Sequence, residues 1–352
     1  MEWPQVKIFT GAAACPVGRY MPNDRRMVES DPILIAVEVL REGGLVALPT
    51  ETVYGLAADA DNELAVRRIF AVKRRPASHP LIVHIAAAEA LSAWARNVPD
   101  EARALARAFW PGPLTLVLPK RSRVSHAISG GQDTVALRVP AHPLARRVLE
   151  AFGGGVAAPS ANRFGGVSPT SADHVKADLG EAVDYVLDGG ACSVGVESTI
   201  VDLSRAEPVV LRPGGLPVED IERVLARSVP VRDDSSVRVP GQPASHYAPR
   251  AGVVVSTRED APRRANQLRS EGRRVALIAA GEMDAPDGVT RFEVPPDSAG
   301  FARDLYRILR EIDAAGFEEI VAVLPPERGL GLAVRDRLRR AAAPRDDSPD
   351  GS

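Results

Sequence analysis

Cysteine, lysine and aromatic residues are scarce in this sequence. Of its 352 residues, two are cysteine, four are lysine against 40 arginine, and 5% are aromatic. Cys15 and Cys192 lie far apart, and no Cys-x-x-Cys spacing occurs. This pattern shows neither a disulfide framework nor a zinc ribbon and fits a reducing compartment, so we expect a cytoplasmic protein. We interpret the excess of arginine over lysine as a composition bias.

Long apolar runs are also missing. No stretch approaches the roughly 20 apolar residues of a membrane span. The first residues lack a basic start followed by a long apolar core, so we expect neither a membrane segment nor a signal peptide. The formal net charge is −2, whereas a chain that mainly coats phosphate backbone is usually clearly basic. The glycine-rich phosphate loops G-x-G-x-x-G and G-x-x-x-x-G-K-S/T do not occur either.

Helix and strand patterns alternate in two regions of the chain. The strand spacing in the first region is irregular, which indicates a mixed sheet with helices on it rather than a regular parallel repeat. The second region has a more regular α/β pattern. We therefore expect an irregular N-terminal extension (1–28), a first α/β domain (29–232), a linker rich in Pro, Gly and Ser (233–250), a smaller α/β domain (251–341) and a disordered tail (342–352).

Polar clusters follow or interrupt several apolar strands of the first region. "PTETVYG" follows "LVAL", and "TVALRVP" places Thr134 and Arg138 on the same face of one strand. Taken singly, most such clusters are turn chemistry, solvated helix ends or, for His84, a core histidine. Arg138 is harder to explain in this way, because an arginine on an apolar strand needs partners for five donors.

Together the clusters favour a ligand site. Their cations are Lys73, Arg75, Arg138 and Arg212, and their short hydroxyl side chains are Thr52, Thr134, Ser160, Ser168 and Ser198. Small residues around them allow close backbone approach. The combination is typical of a cavity for a polyanion and a small polar ligand.

Seven ordered segments resemble the YrdC/Sua5 family. They are "LPTETVYGLAADA", "KRRPASHPLIVHI", "FWPGPLTLVLP", "TVALRVPAHPLA", "APSANRFGGVSPT", "GVESTIVDL" and "VLRPGG", within residues 32–231. The segment "VPGQPASHYAPR" and the α/β region after it resemble the longer Sua5 form. The resemblance implies a YrdC-like twisted open mixed sheet with helices around a basic cavity, plus a smaller C-terminal Rossmann-like α/β domain.

The resemblance also implies an activity. Members of this family are L-threonylcarbamoyladenylate synthases, nucleotidyltransferases that join L-threonine, bicarbonate or CO2, and ATP with Mg2+ into threonylcarbamoyl-AMP and pyrophosphate. A separate tRNA threonylcarbamoyltransferase then forms t6A at adenosine 37 of tRNAs that read ANN codons. The resemblance implies no membrane partner and leaves a weak direct contact with tRNA open.

Residue roles are carried over motif by motif. Lys73 and Arg75 resemble the cationic pair on the ATP phosphates and are the expected catalytic cations, while Tyr54 would line the cavity. The remaining expected ATP contacts are His79, Thr134, Ser160, Asn162, Ser168, Arg212 and Tyr247. The expected threonine contacts are Thr52, His84, Arg138, Ala158 and Ser198. No residue is expected to be a metal ligand.

The sequence departs from the family pattern at three points. Arg74 stands where glycine is commoner, His79 stands where asparagine is commoner, and the linker lacks the basic residue before His246. We expect the last two changes to alter the contacts with the nucleotide.

Two other functions remain open at this stage. The first is formation of carbamoyl-AMP from carbamoyl phosphate, as in related domains of hydrogenase maturation proteins and antibiotic O-carbamoyltransferases. Those chains add a large transferase domain, for which residues 251–352 leave too little room. The second is an RNA-binding module, against which the near-neutral charge and the few aromatic residues count.

Overall fold

A computed structural model describes residues 31–232, 237–241 and 245–344. The expected N-terminal extension (1–28), two short stretches of the expected linker and residues 345–352 of the expected tail lie outside the described residues. No helix in these described ranges is long and apolar enough to cross a membrane.

The first domain is built on a nine-stranded mixed sheet. Its spatial order is β7-β1-β2-β6-β3-β5-β4-β8-β9, with parallel and antiparallel neighbours. This confirms the expected open mixed sheet. The strands are β1 (Val46–Leu48), β2 (Gly55–Asp59), β3 (Ile82–His84), β4 (Leu114–Pro119), β5 (Thr134–Arg138), β6 (Val156–Ala157), β7 (Tyr185–Val186), β8 (Thr199–Asp202) and β9 (Val209–Arg212).

Helices cover this sheet, and a side chain caps the N-terminus of five of the eight described. Asp31, for example, accepts a hydrogen bond from the Ile33 amide, with Pro32 in the first turn. The helices are α1 (Pro32–Arg41), α2 (Glu63–Lys73), α3 (Leu91–Trp94), α4 (Asp100–Phe109), α5 (His126–Ser129), α6 (Pro143–Phe152), α7 (Ala172–Leu179) and α8 (Val218–Leu225), with 3-10 turns at Ala88–Ala90 and Gly180–Ala182.

The second domain is a four-stranded parallel sheet with helices, in the order β10-β13-β11-β12. Its two central strands are apolar except for Glu319 at the start of one of them, as expected of parallel strands covered on both faces. The expected smaller Rossmann-like domain is therefore confirmed. Its elements are β10 (Gly252–Ser256), α9 (Ala261–Ser270), β11 (Val275–Ala280), β12 (Thr290–Val294), α10 (Ser298–Ala314), β13 (Glu319–Val323) and α11 (Leu330–Ala342).

One apolar cluster belongs to both domains. Val53, Val167 and Val196 of the first domain share it with Phe301 and Tyr306 on α10, and all five are buried. The second domain is thus packed against the loops that follow β1, β6 and β7. These same loops form one side of the site described next.

Candidate active site

A cavity lies where the ends of β3, β5 and β9 meet the loops after β1 and β6 and the residues before β8. From the linker, the wall includes Pro240, Gly241, His246 and Tyr247. Nine of the residues expected to bind ligands line it: Thr52, Arg75, His84, Arg138, Ala158, Ser160, Ser198, Arg212 and Tyr247. The fold therefore brings together side chains that lie up to 195 positions apart in the sequence, from Thr52 to Tyr247.

The segment "PTETVY" is the loop of a hairpin between the antiparallel strands β1 and β2. Thr50 shapes this loop: its Oγ1 accepts from the amides of Thr52 and Val53, both at 3.2 Å, and donates to the Val53 carbonyl at 2.6 Å. The Thr52 hydroxyl, 2.8 Å from that of Thr50, lies in the cavity wall. The Tyr54 hydroxyl donates to the Gly190 carbonyl, and Tyr54 is not among the residues that line the cavity. The expectation that it lines the cavity is therefore not supported.

Arg138, at the end of β5, is held by three partners. Its Nη2 donates to Glu51 Oε1 at 2.6 Å, its Nη1 to Thr52 Oγ1 at 2.9 Å and its Nε to the Gly112 carbonyl at 3.2 Å. Glu51 in turn accepts from the Ala141 amide at 3.0 Å. A guanidinium has five N–H donors, so two remain for a ligand. Glu51 is one of two carboxylates at this site that were not predicted from the sequence.

His84 lies beside Arg138, paired with it in the register of β3 and β5. The side chain is buried, and its Nδ1 has no hydrogen-bond partner among the described residues. Burial and the nearby Arg138 lower the pKa of His84 to about 3. The imidazole is therefore neutral at physiological pH and can offer an uncharged nitrogen to a small ligand.

Arg75 and Arg212 are the other buried cations in the cavity wall. Arg75 donates from Nη2 to the Pro80 carbonyl at 2.9 Å, and its Nε has no partner within the described part of the chain. Arg212 donates from Nη2 to the Ser198 carbonyl and from Nη1 to the Pro240 carbonyl, both at 2.9 Å. Burial lowers the pKa of Arg75 to about 10 and also lowers that of Arg212. Arg75 thus keeps its charge at neutral pH, and buried guanidinium groups with spare donors attract anions.

Lys73 supports the cavity from behind. Its Nζ donates to the carbonyls of Ser160 at 2.5 Å and Asn162 at 2.6 Å, and lies 3.5 Å from Asn162 Oδ1. Burial, with Arg75 nearby, lowers its pKa well below the ordinary value. In this structure Lys73 therefore fixes the loop that carries Ser160, and its expected contact with phosphate stays a prediction.

Four further expected ATP contacts also lie outside the cavity wall. Ser168 donates to Glu197 Oε1 at 2.6 Å, and Asn162 Nδ2 donates to the carbonyls of Arg163 and Gly166. Thr134 stands at the opposite end of β5 from Arg138. His79 packs edge-on against Phe164, with 5.3 Å between ring centroids. Their proposed roles in ATP binding remain untested by this arrangement.

The linker closes one side of the cavity. Tyr247 is buried with φ at 61°, and its hydroxyl has no hydrogen-bond partner among the described residues. Gly241 makes room for it: a Cβ at Gly241 would lie 2.1 Å from Tyr247 Oη. The enclosed space is about 50 Å3, whereas ligand pockets usually measure roughly 300–1,000 Å3. With Tyr247 in this position, the cavity is smaller than a nucleotide needs.

This arrangement can hold an anion and a small polar molecule side by side. Arg75 and Arg212 supply positive charge, while the end with Arg138 and His84 offers guanidinium donors and a neutral nitrogen. Within the described ranges, no group of three or more His, Cys, Asp or Glu residues could hold a metal ion. Positioning, charge neutralisation and exclusion of water are the means of catalysis that such a site provides.

Comparison with known proteins gives matches along nearly the whole chain. A family model described as telomere recombination matches residues 38–214, and one described as threonylcarbamoyl-AMP synthase, C-terminal domain, matches residues 216–343. The threonylcarbamoyl-AMP synthase of Pyrococcus abyssi is 46% identical over 331 residues, which is 91% of this chain and 96% of the relative. That of Bacillus subtilis is 40% identical over 332 residues, 90% of this chain and 94% of the relative.

A solved structure agrees with these matches. The crystal structure of P. abyssi Sua5 complexed with L-threonine superimposes with a TM-score of 0.83 at 45% sequence identity, covering 88% of this chain and 94% of that chain. Both domains are thus shared with this relative.

Proposed function

Because the chain belongs to the threonylcarbamoyl-AMP synthase family, we propose that its cavity joins L-threonine, bicarbonate and ATP into threonylcarbamoyl-AMP and pyrophosphate. One observation links this activity to particular residues. The cavity is lined by Arg138, which is fixed by hydrogen bonds, and by the neutral His84. Two further buried arginines, Arg75 and Arg212, lie in the same wall. Such a wall suits an amino acid next to a polyphosphate.

Threonine belongs at the end of the cavity near Arg138. The two unused donors of this guanidinium suit the amino-acid carboxylate. Thr52, His84 and Ser198 offer polar groups to the amine and the hydroxyl, and the small side chain of Ala158 leaves room for them. Ser198 is itself fixed, since its Oγ lies 2.7 Å from Thr115 Oγ1 in the buried wall.

ATP enters with its Mg2+ and places its phosphates toward Arg75 and Arg212, next to Ser160. A cavity of about 50 Å3 is too small for a nucleotide, so Tyr247 and its linker must move to admit it. The proposed contacts of Lys73, His79, Thr134, Asn162 and Ser168 require the bound nucleotide to extend beyond the present wall or the loops to adjust.

The chemistry follows from this placement. Bicarbonate takes up a proton and releases water to give CO2. The neutral amine of threonine adds to this CO2 and loses a proton, which gives a carbamate. A carbamate oxygen then attacks the α-phosphorus of ATP, the bond from that phosphorus to the bridging oxygen breaks, and pyrophosphate leaves with Mg2+. The arginines neutralise charge on the phosphates, and the closed linker keeps water from the labile carbamate.

Pyrophosphate release tests this function. The purified protein is incubated with Mg2+-ATP, bicarbonate and threonine, with each component omitted in turn and with serine or valine in place of threonine. A parallel sample contains carbamoyl phosphate in place of threonine and bicarbonate. We expect release that needs threonine, bicarbonate and Mg2+ together. Release that needs carbamoyl phosphate instead would contradict the proposal and assign the chain to carbamoyl transfer.

The product would pass to a second enzyme. Threonylcarbamoyl-AMP is an activated acyl adenylate, and the family resemblance points to a separate tRNA threonylcarbamoyltransferase that forms t6A at position 37 of tRNAs reading ANN codons. We therefore propose that the chain acts in the cytoplasm. A weak direct contact with tRNA is compatible with the site but is not favoured by the net charge of −2.

A further inference from the structure

A buried carboxylate joins the two domains next to the cavity. Glu197 precedes Ser198 and lines the same wall. Its Oε2 accepts from Arg337 Nε at 2.7 Å and from the Tyr306 hydroxyl at 2.9 Å. Its Oε1 accepts from Ser168 Oγ at 2.6 Å and from the same tyrosine hydroxyl at 3.1 Å. Two of its three partners therefore come from helices α10 and α11 of the second domain.

Arg337 is fully buried at this interface, with 0% of its side chain exposed. It also pairs with the neighbouring Asp336, and its guanidinium carbon lies 4.8 Å from the centre of the Tyr247 ring. The second domain thus places one guanidinium against both the Glu197 carboxylate and the linker tyrosine that closes the cavity.

A second cation competes for this carboxylate. Burial opposes ionisation of Glu197, but the charges of Arg337 and Arg212 and the hydrogen bond from Ser168 hold its pKa at about 2. Arg212, however, makes no hydrogen bond to Glu197 in the described part of the chain and donates instead to the carbonyls of Ser198 and Pro240. The carboxylate is ionised and near Arg212, but it is directed toward Arg337 and Tyr306.

The direction of this carboxylate matters for anion binding. A guanidinium paired with a carboxylate has its charge neutralised and its forked donors occupied, so it binds phosphate poorly. If Arg337 were absent, Arg212 would be the cation left to Glu197, because a buried carboxylate strongly favours an ion pair over isolation.

We propose that Arg337 and Tyr306 are positioning residues that hold the Glu197 carboxylate away from Arg212, so that Arg212 keeps its charge for the triphosphate of ATP. This inference rests on the proposed function through the role of Arg212 in ATP binding. The second domain would then contribute to the site, because its Arg337 supplies the counter-charge of Glu197 in the first domain.

The test is a rescue experiment on the full chain. We expect Arg337→Met to raise the KM for ATP by roughly tenfold or more, because Arg212 loses a charge-assisted bond to phosphate, while the KM for threonine stays within about twofold. Adding Glu197→Gln should then restore most of the ATP affinity, because an uncharged amide cannot neutralise Arg212. A purely structural role of Arg337 would not produce this rescue.

Two further variants keep the test decisive. Arg335→Met is the matched control, since Arg335 lies on the same helix but donates to the Pro325 carbonyl and pairs with Glu327 inside the second domain; its KM for ATP should match that of the wild type. Tyr306→Phe removes only a hydroxyl and should raise the KM for ATP by a smaller factor. This variant replaces Arg337→Met in the test if Arg337→Met does not fold.

Some outcomes would overturn the inference. These are an unchanged KM for ATP in folded Arg337→Met or Tyr306→Phe, equal loss for ATP and threonine, or a Glu197→Gln/Arg337→Met protein that is folded but not rescued. Failure of the proposed function is distinguishable, because the wild type itself would then release no pyrophosphate with threonine. ATP binding measured by calorimetry on the same variants would still test the competition for Glu197.

Discussion

At the residue scale, the site depends on buried charges that are held in fixed directions. Arg138 shows this most clearly: its side chain is 4% exposed, and it pairs with Glu51, 9% exposed, at 2.6 Å. The sequence predicted that Arg138 needs partners and favoured a ligand anion. The structure supplies an internal carboxylate as well, so the arginine serves both folding and binding.

The pair makes a specific prediction about stability. Arg138→Ala leaves Glu51 buried without its cation, and we expect a loss of about 3–5 kcal/mol in the free energy of unfolding. The double variant Glu51→Gln/Arg138→Met should recover much of this stability but not the affinity for threonine. Denaturant unfolding and the KM for threonine measure the two effects, and a stable double variant with a normal KM would make Arg138 purely structural.

Several residues could be predicted from sequence because their type conflicts with their surroundings. Arginine at the end of an apolar strand, as at Arg138 and Arg212, requires a polar partner wherever the chain folds. Glu51 and Glu197 were missed, because a glutamate in a polar loop is usually solvated. The available signal was indirect: buried arginines need counter-charges, and both glutamates stand next to a predicted ligand contact, Thr52 and Ser198 respectively.

At the element scale, the short strands limited the prediction. The sequence analysis recognised β1 but not its hairpin partner β2, because "GLAAD" consists mainly of small residues with low strand propensity. Pairing with β1 and β6 stabilises this strand. The five-residue strand β12, with only one residue fully buried, was missed for a related reason.

The linker element offers a prediction of its own. Gly241 has φ at +83°, and a Cβ there would lie 2.1 Å from Tyr247 Oη. We expect Gly241→Ala to displace Tyr247 and to lower kcat/KM for ATP by roughly tenfold or more, since misplacement by about 1 Å can cost 100-fold in rate.

Gly272→Ala is the matched control for this change. Gly272 has the same φ of +83° but nothing within 4 Å of an added Cβ, so it carries the same backbone strain without the clash. Its kcat/KM should match that of the wild type. Equal losses in the two variants would show that strain, and not the position of Tyr247, explains the effect of Gly241→Ala.

At the scale of the whole molecule, the two domains pack against each other. Their shared apolar cluster and the Glu197–Arg337 pair lie directly behind the cavity. The Arg310–Asp178 ion pair, at 2.5 Å, joins them at a second point. The sequence predicted both domains and the linker, but not this docking. Arg337 and Arg310 lie on amphipathic helices that also carry exposed arginines, such as Arg339 and Arg303. No local pattern distinguishes an arginine that crosses to another domain.

The central claim is that this cavity builds threonylcarbamoyl-AMP from three substrates. The most direct measurement is mass spectrometry of the product formed by the purified protein from threonine, ATP and 13C-labelled bicarbonate. The account predicts an adenylate that contains threonine and exactly one labelled carbon, and that disappears when either threonine or bicarbonate is left out. An adenylate without the label, or one that contains a carbamoyl group but no threonine, would contradict it.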